Sequence, residues 1–93
     1  AYSVPVLFLT FNRPQHTQAV LERLRLLQPE RLYVHCDGPR PHRPEDADNV
    51  SAVRNILETQ VDWPCQVTTL FRDVNLGLRA GVFDAINWFF RQE

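Results

Sequence analysis

Apolar positions along the chain come in short unbroken runs separated by longer stretches in which they recur every three or four residues. From Val6 to Phe11 the residues are apolar or β-branched without alternation, the pattern of a strand with both faces covered, as in a parallel sheet between helices. Thr10, Asn12 and Arg13 then bring polar side chains to the strand exit, and Pro14 presets the first turn of a helix. The spacing predicts a helix from Pro14 to Leu27 with Asn12 or Arg13 in the capping region and Val20, Leu21, Leu24 and Leu27 facing the core. A second strand, Arg31 to Cys36, stops at the turn Asp37-Gly38-Pro39.

From Pro39 to Asp48 the chain is rich in proline and charge, and it reads as a solvated loop. Asp46 or Asp48 then caps a second helix that turns Val50, Val53 and Leu57 inward and ends near Gln60. Trp63 is expected to seal the base of the sheet ahead of a third strand, Gln66 to Phe71. A polar loop with a permissive glycine, Arg72 to Gly77, leads into a third helix beginning near Arg79, with Val82, Phe83, Ile86 and Phe90 as its inner face. Trp88 and Phe89 make that helix apolar almost all round, so it expects protein on its other side too.

The order is β-α-β-α-β-α, which right-handed crossovers turn into an α/β domain with three parallel strands in a Rossmann-like, three-layer α/β/α arrangement. In such a sheet ligands bind outside the carboxyl ends of the strands. Thr10, Asn12, Arg13, Asp37, Arg72, Asp73 and Asn75 belong to that edge.

Composition narrows the function. With 93 residues the chain is one domain, 44% hydrophobic and 23% charged, which is the balance of a folded protein. The net charge of −1, with arginine as the only strong base, argues against a nucleic-acid surface. No apolar run is long enough to span a bilayer and no signal-peptide pattern is present, so a cytoplasmic location is expected. The chain has no methionine, and its end, INWFFRQE, still reads as helix. Both features fit a piece of a longer protein. Cys36 and Cys65 fall towards opposite edges of the sheet, beyond disulfide reach, and are expected as reduced, buried thiols.

Each candidate residue carries two readings. Asp37, followed by Gly38, is either a carboxylate that accepts hydrogen bonds from a ribose or base, or a turn aspartate that stabilises its own loop. Asn12 reads first as a helix cap, and Arg13 as a solvated loop arginine able to pair with a diphosphate. Asn75-Leu76-Gly77 is a turn signal, and neither a P-loop nor a dinucleotide motif is present. His35 alternates with its neighbours Cys36 and Asp37 across the sheet, which prevents joint metal binding and leaves it a core histidine. Asp46-Ala47-Asp48 imitates a metal motif but stands where a helix cap is needed.

Taken together, PVLFLTFNRP, RLYVHCDGPR and TLFRDVNLGLRAGVFDAINWFF resemble the amino-terminal half of a family 2 type glycosyltransferase, a nucleotide-diphospho-sugar transferase of the GT-A fold. The resemblance implies a nucleotide-sugar site, UDP-type, at Thr10, Phe11, Asn12, Arg13 and Asp37, joined by Asn75, Gly77 and Arg79. It also implies Mg²⁺ or Mn²⁺ and a catalytic base for the acceptor hydroxyl, carried on later elements of the family fold and not on these residues. The 93-residue chain alone is thus expected to be catalytically inert, with no metal of its own. In the family's sheet the first strand is interior, so here its free edge, or the Trp88-Phe89 face, is expected to support a homo-oligomer. The competing reading is a non-catalytic nucleotide-binding or receiver-like α/β module. A receiver wants an acidic pair after its first strand, where Thr10 and Asn12 stand.

Overall fold

The computed structural model describes residues 2–93. Its elements are β1 (Val6–Thr10), α1 (Pro14–Leu27), β2 (Arg31–Cys36), α2 (Pro44–Thr59), β3 (Gln66–Phe71) and α3 (Leu78–Gln92). The three strands form one parallel sheet in the order β1-β2-β3. Register is even across the sheet: Thr10 pairs with Cys36, and Cys36 with Phe71. All three strands therefore end at one level, and the residues after them leave along a single edge.

Burial is distributed differently from the expectation. β1, with its unbroken apolar run, is an edge strand in which only Phe8 is buried and Leu9 is 40% exposed. β2 is the covered strand, buried from Leu32 to Cys36 despite its mixed sequence. Alternation explains how it is covered. Leu32, Val34 and Cys36 share a core with Leu21 of α1 and with Val50, Val53 and Leu57 of α2. Tyr33 points the other way, where its ring meets Trp88 and Phe89 of α3 edge-on at 5.8 and 5.1 Å between centroids. Trp63 closes the amino-terminal end of the sheet as expected, donating its indole N–H to the Pro29 carbonyl at 2.9 Å. Cys36 and Cys65 are both free thiols.

Three local readings change. α2 starts at Pro44, ahead of Asp46 and Asp48, and neither α1 nor α2 has a side-chain cap. Both helices open instead on an Arg-Pro pair, Arg13-Pro14 and Arg43-Pro44, in which proline fixes the first helical φ and removes one of the unpaired N–H groups of the first turn. In α1 the core stripe is Thr17, Val20, Leu21 and Leu24, while Leu27, 44% exposed, lies on the outer side of the last turn. In α3 the inner face is made by Gly81 and Ala85, with Val82, Trp88 and Phe89 partly covered. Phe83, Ile86 and Phe90, expected inside, are 69, 40 and 69% exposed. Small residues are what let the helix lie close to the sheet: a Cβ on Gly81 would already sit 3.4 Å from the Asp37 carboxylate. Among the described residues no helix is long and apolar enough to cross a membrane.

Candidate functional site

A cavity of about 570 Å³ opens at the carboxyl edge of the sheet, within the range of small-molecule sites. Its rim takes Thr10, Phe11, Asn12 and Arg13 from the β1 exit, Asp37 and Arg40 from the β2 exit, and Asn75 and Gly77 from the loop after β3. Leu78, Gly81 and Val82 of α3, Leu9 and His35 of the sheet, and His16 and Thr17 of α1 complete the lining. Seven of the eight residues expected at a ligand site thus surround one space. The eighth, Arg79, is exposed in the first turn of α3 and does not line it.

Asp37 is the knot of the site. Its Oδ1 accepts from the backbone N–H groups of Gly38 (2.9 Å) and Leu76 (2.8 Å), and its Oδ2 from Gly77 N–H (3.1 Å) and Asn75 Nδ2 (3.2 Å). A carboxylate has about four acceptor positions, and all are taken by protein. The same Asn75 amide donates to the Gly38 carbonyl at 2.8 Å. Of the two readings of Asp37, the structure displays the loop-stabilising one, extended to a second loop. Close approach follows from it: a Cβ on Gly38 would lie 2.6 Å from the Val74 carbonyl carbon, so only glycine fits. Gly77 provides the other special backbone, at φ 84°, where the chain turns into α3.

Asn12 is not a cap. It donates its amide to Asp46 Oδ1 at 3.0 Å, and Asp46, fully buried, also receives Arg40 through Nε (2.6 Å), Nη2 (3.0 Å) and the backbone N–H (3.1 Å). The Arg40 guanidinium, foremost among these donors, holds the Asp46 carboxyl well below the usual carboxylate range. The stretch from Pro39 to Asp48 is therefore tied down by an internal ion pair as well as facing solvent. Arg40 also lies over the Phe11 ring, 5.6 Å from its centroid. Thr10 spends its hydroxyl on the His35 carbonyl at 2.8 Å, tying β1 to β2. Arg13 is exposed and makes no side-chain hydrogen bond or ion pair among the described residues, which leaves its charge free at the mouth of the cavity.

Sequence reasoning missed Arg40, His16 and Thr17. Arg40 stands six residues before its partner Asp46 in a turn, a spacing that no regular period reveals. The Arg-Pro opening of α1, repeated before α2, was the legible sign that Asp46 lies inside a helix and not before it.

The metal implied by the resemblance finds no ligand set here. Among the described residues no group of three His, Cys, Asp or Glu side chains is placed to hold one. The two buried carboxylates nearest the cavity, Asp37 and Asp46, are each saturated by four protein donors. Comparison with protein-family models, with curated proteins and with solved structures gives no match.

Proposed function

We propose that the chain is the donor-binding portion of a glycosyltransferase, a Rossmann-like three-layer half-domain that takes a nucleotide-diphospho-sugar, UDP-type, at the carboxyl edge of its sheet. The observation that supports this reading is the convergence of Thr10, Phe11, Asn12, Arg13, Asp37, Asn75 and Gly77, from three separate loops, on one cavity of about 570 Å³. That is where open parallel sheets bind ligands, at the ends of the strands and beside helix N-termini.

The residues divide the work by what they have left to offer. Arg13, with its charge free and the first turn of α1 behind it, is the group for the diphosphate. Asp37 shapes the wall; a ribose hydroxyl reaches it only if Asn75 Nδ2, the longest of its four contacts, moves off. Transfer to an acceptor hydroxyl belongs to the whole enzyme of this reading. No residue here is assigned to metal coordination or to acceptor activation. The receiver-like alternative is weaker, because the polar groups at the β1 exit are already bonded to His35 and Asp46 and offer no acidic pair.

Calorimetric titration with UDP tests the proposal. Saturable binding is expected, and Arg13→Ala is expected to weaken it about tenfold, the worth of one charge-assisted hydrogen bond, without changing Tm. Absence of any saturable heat at millimolar UDP, UDP-glucose or GDP would overturn it.

A further inference from the structure

Arg54 belongs to α2, on the face of the sheet opposite α3, and it does not line the cavity. Its role follows from where the ladder between β2 and β3 ends. The last backbone rung is Arg72 N–H to the Cys36 carbonyl, at 2.9 Å. The two carbonyls just beyond it, those of Asp37 and Arg72, accept no backbone N–H among the described residues. Arg54 Nη2 donates to both, at 3.4 and 2.6 Å. An Nη group carries two hydrogens, one for each carbonyl. The guanidinium thus adds a side-chain rung one step past the strands.

This rung is held against a cost. Arg54 has no carboxylate partner among the described residues, and its Nε is buried without a hydrogen-bond partner. Covering a cation in this way loses hydration that an apolar side chain would never have had. Phe71 offsets part of the loss, with its ring centroid 5.0 Å from the guanidinium carbon. The two carbonyls, however, stand at the roots of the site. Asp37 carries the carboxylate that receives the Leu76 and Gly77 N–H groups, and Arg72 opens the loop that delivers them. Those contacts are 2.8 and 3.1 Å long, so a shift of about 1 Å between the two strand exits breaks both.

We propose that Arg54 is a positioning residue of the ligand site: from the far face of the sheet it fixes the spacing of the β2 and β3 exits at which Asp37 holds the loop carrying Asn75 and Gly77 as a wall of the cavity. On the donor-site reading above, on which the ligand part rests, Arg54 governs the affinity for a nucleoside diphosphate that it does not touch. Lysine is only a partial substitute, because an ammonium lacks the planar fork that covers the Phe71 ring while its Nη2 reaches both carbonyls.

NMR and calorimetry of the 93-residue chain test this, with Arg54→Met, which keeps an unbranched stem and removes every donor. In the wild type the Leu76 and Gly77 amide protons are expected to exchange slowly with solvent. The Arg54 Nη protons are expected to be resolved from those of exposed arginines, a result that needs no variant. In folded Arg54→Met both amides are expected to exchange about tenfold faster, and UDP to bind roughly 2- to 30-fold more weakly, the range for residues that act without touching the ligand. Arg54→Lys is expected to fall between. A folded Arg54→Met chain whose Leu76 and Gly77 amides exchange as in the wild type overturns the proposal whatever its Tm, because Arg54 then only supports the core. Averaged Arg54 Nη protons in the wild type overturn it as well. Should Arg54→Met not fold, Arg54→Lys stands in, and wild-type exchange and affinity in that chain overturn the proposal. Faster exchange with unchanged UDP affinity overturns the link to the ligand alone. A wild-type chain silent towards UDP overturns the donor-site reading, and the amides still decide the clamp.

Discussion

Replacing Gly38 by alanine tests whether the two loops at the sheet edge are held as one body by Asp37. The added Cβ would lie 2.6 Å from the Val74 carbonyl carbon and 2.9 Å from the Asp73 carbonyl, and ordinary contact begins near 3.4 Å. Relief requires the loop after β3 to retreat by about 0.8 Å, since the atoms met are backbone and not the end of a flexible side chain. Carried that far, the Leu76 N–H to Asp37 contact stretches from 2.8 Å to about 3.6 Å, beyond a useful hydrogen bond. The chain either keeps the clash, at about 1–3 kcal/mol, or gives up a hydrogen bond to a charged acceptor, at about 1.5–3 kcal/mol. Whichever route costs less places the loss at about 1–3 kcal/mol, a fall in Tm of roughly 4–24 °C for a domain of this size. Thermal unfolding followed by circular dichroism measures it. Gly81→Ala is the matched control: its Cβ meets its nearest neighbour at 3.4 Å, and alanine in a helix interior is favoured over glycine by about 1 kcal/mol, so Tm should hold or rise. A Gly38→Ala chain that melts within about 3 °C of the wild type would refute the argument, because the loops would then be free to part without cost.

Two further outcomes follow from the charges and the exposed face. Asp46 titrates below its ordinary range in the folded state, so its contribution to stability is complete above about pH 4 and is lost as pH falls through the folded value; Asp46→Asn should therefore flatten the acid limb of a Tm-against-pH curve below about pH 4, and an unchanged limb would count against the Arg40 pairing. Phe83 and Phe90, both 69% exposed on α3, together with the unpaired edge of β1, predict concentration-dependent self-association by light scattering that Phe83→Glu with Phe90→Glu abolishes; a wild-type monomer at every concentration would contradict it.

The order of elements was legible because each strand is a short apolar run and each helix a periodic one. β2 and β3 fall where the pattern puts them, and α1 does too. Facing was harder to read. In α3 large apolar residues stand on both the covered and the open side, so their positions alone do not say which of them are buried, and the packed side is marked by the small residues Gly81 and Ala85. β1 has the most apolar sequence and β2 the most burial, because burial is decided by which strand lies between two neighbours. At the site, strand exits are a property of topology, which is why Thr10 to Arg13, Asp37 and Asn75 could be placed together in advance. Pairings such as Arg40 with Asp46, or Asp84 with Arg72 and His35, depend on how separate loops meet, and no local spacing encodes them.

α3 leaves the far edge of the sheet at β3 and comes back across it to lie by β1, the first strand in the chain. On the other face α1 packs against α2, with one strand between them in sequence. The back wall of the cavity, Leu78, Gly81 and Val82, instead joins segments separated by most of the chain's length. Contacts of such long sequence separation carry the largest loop-closure cost. The cavity is thus closed by the contact that costs the chain the most entropy to make.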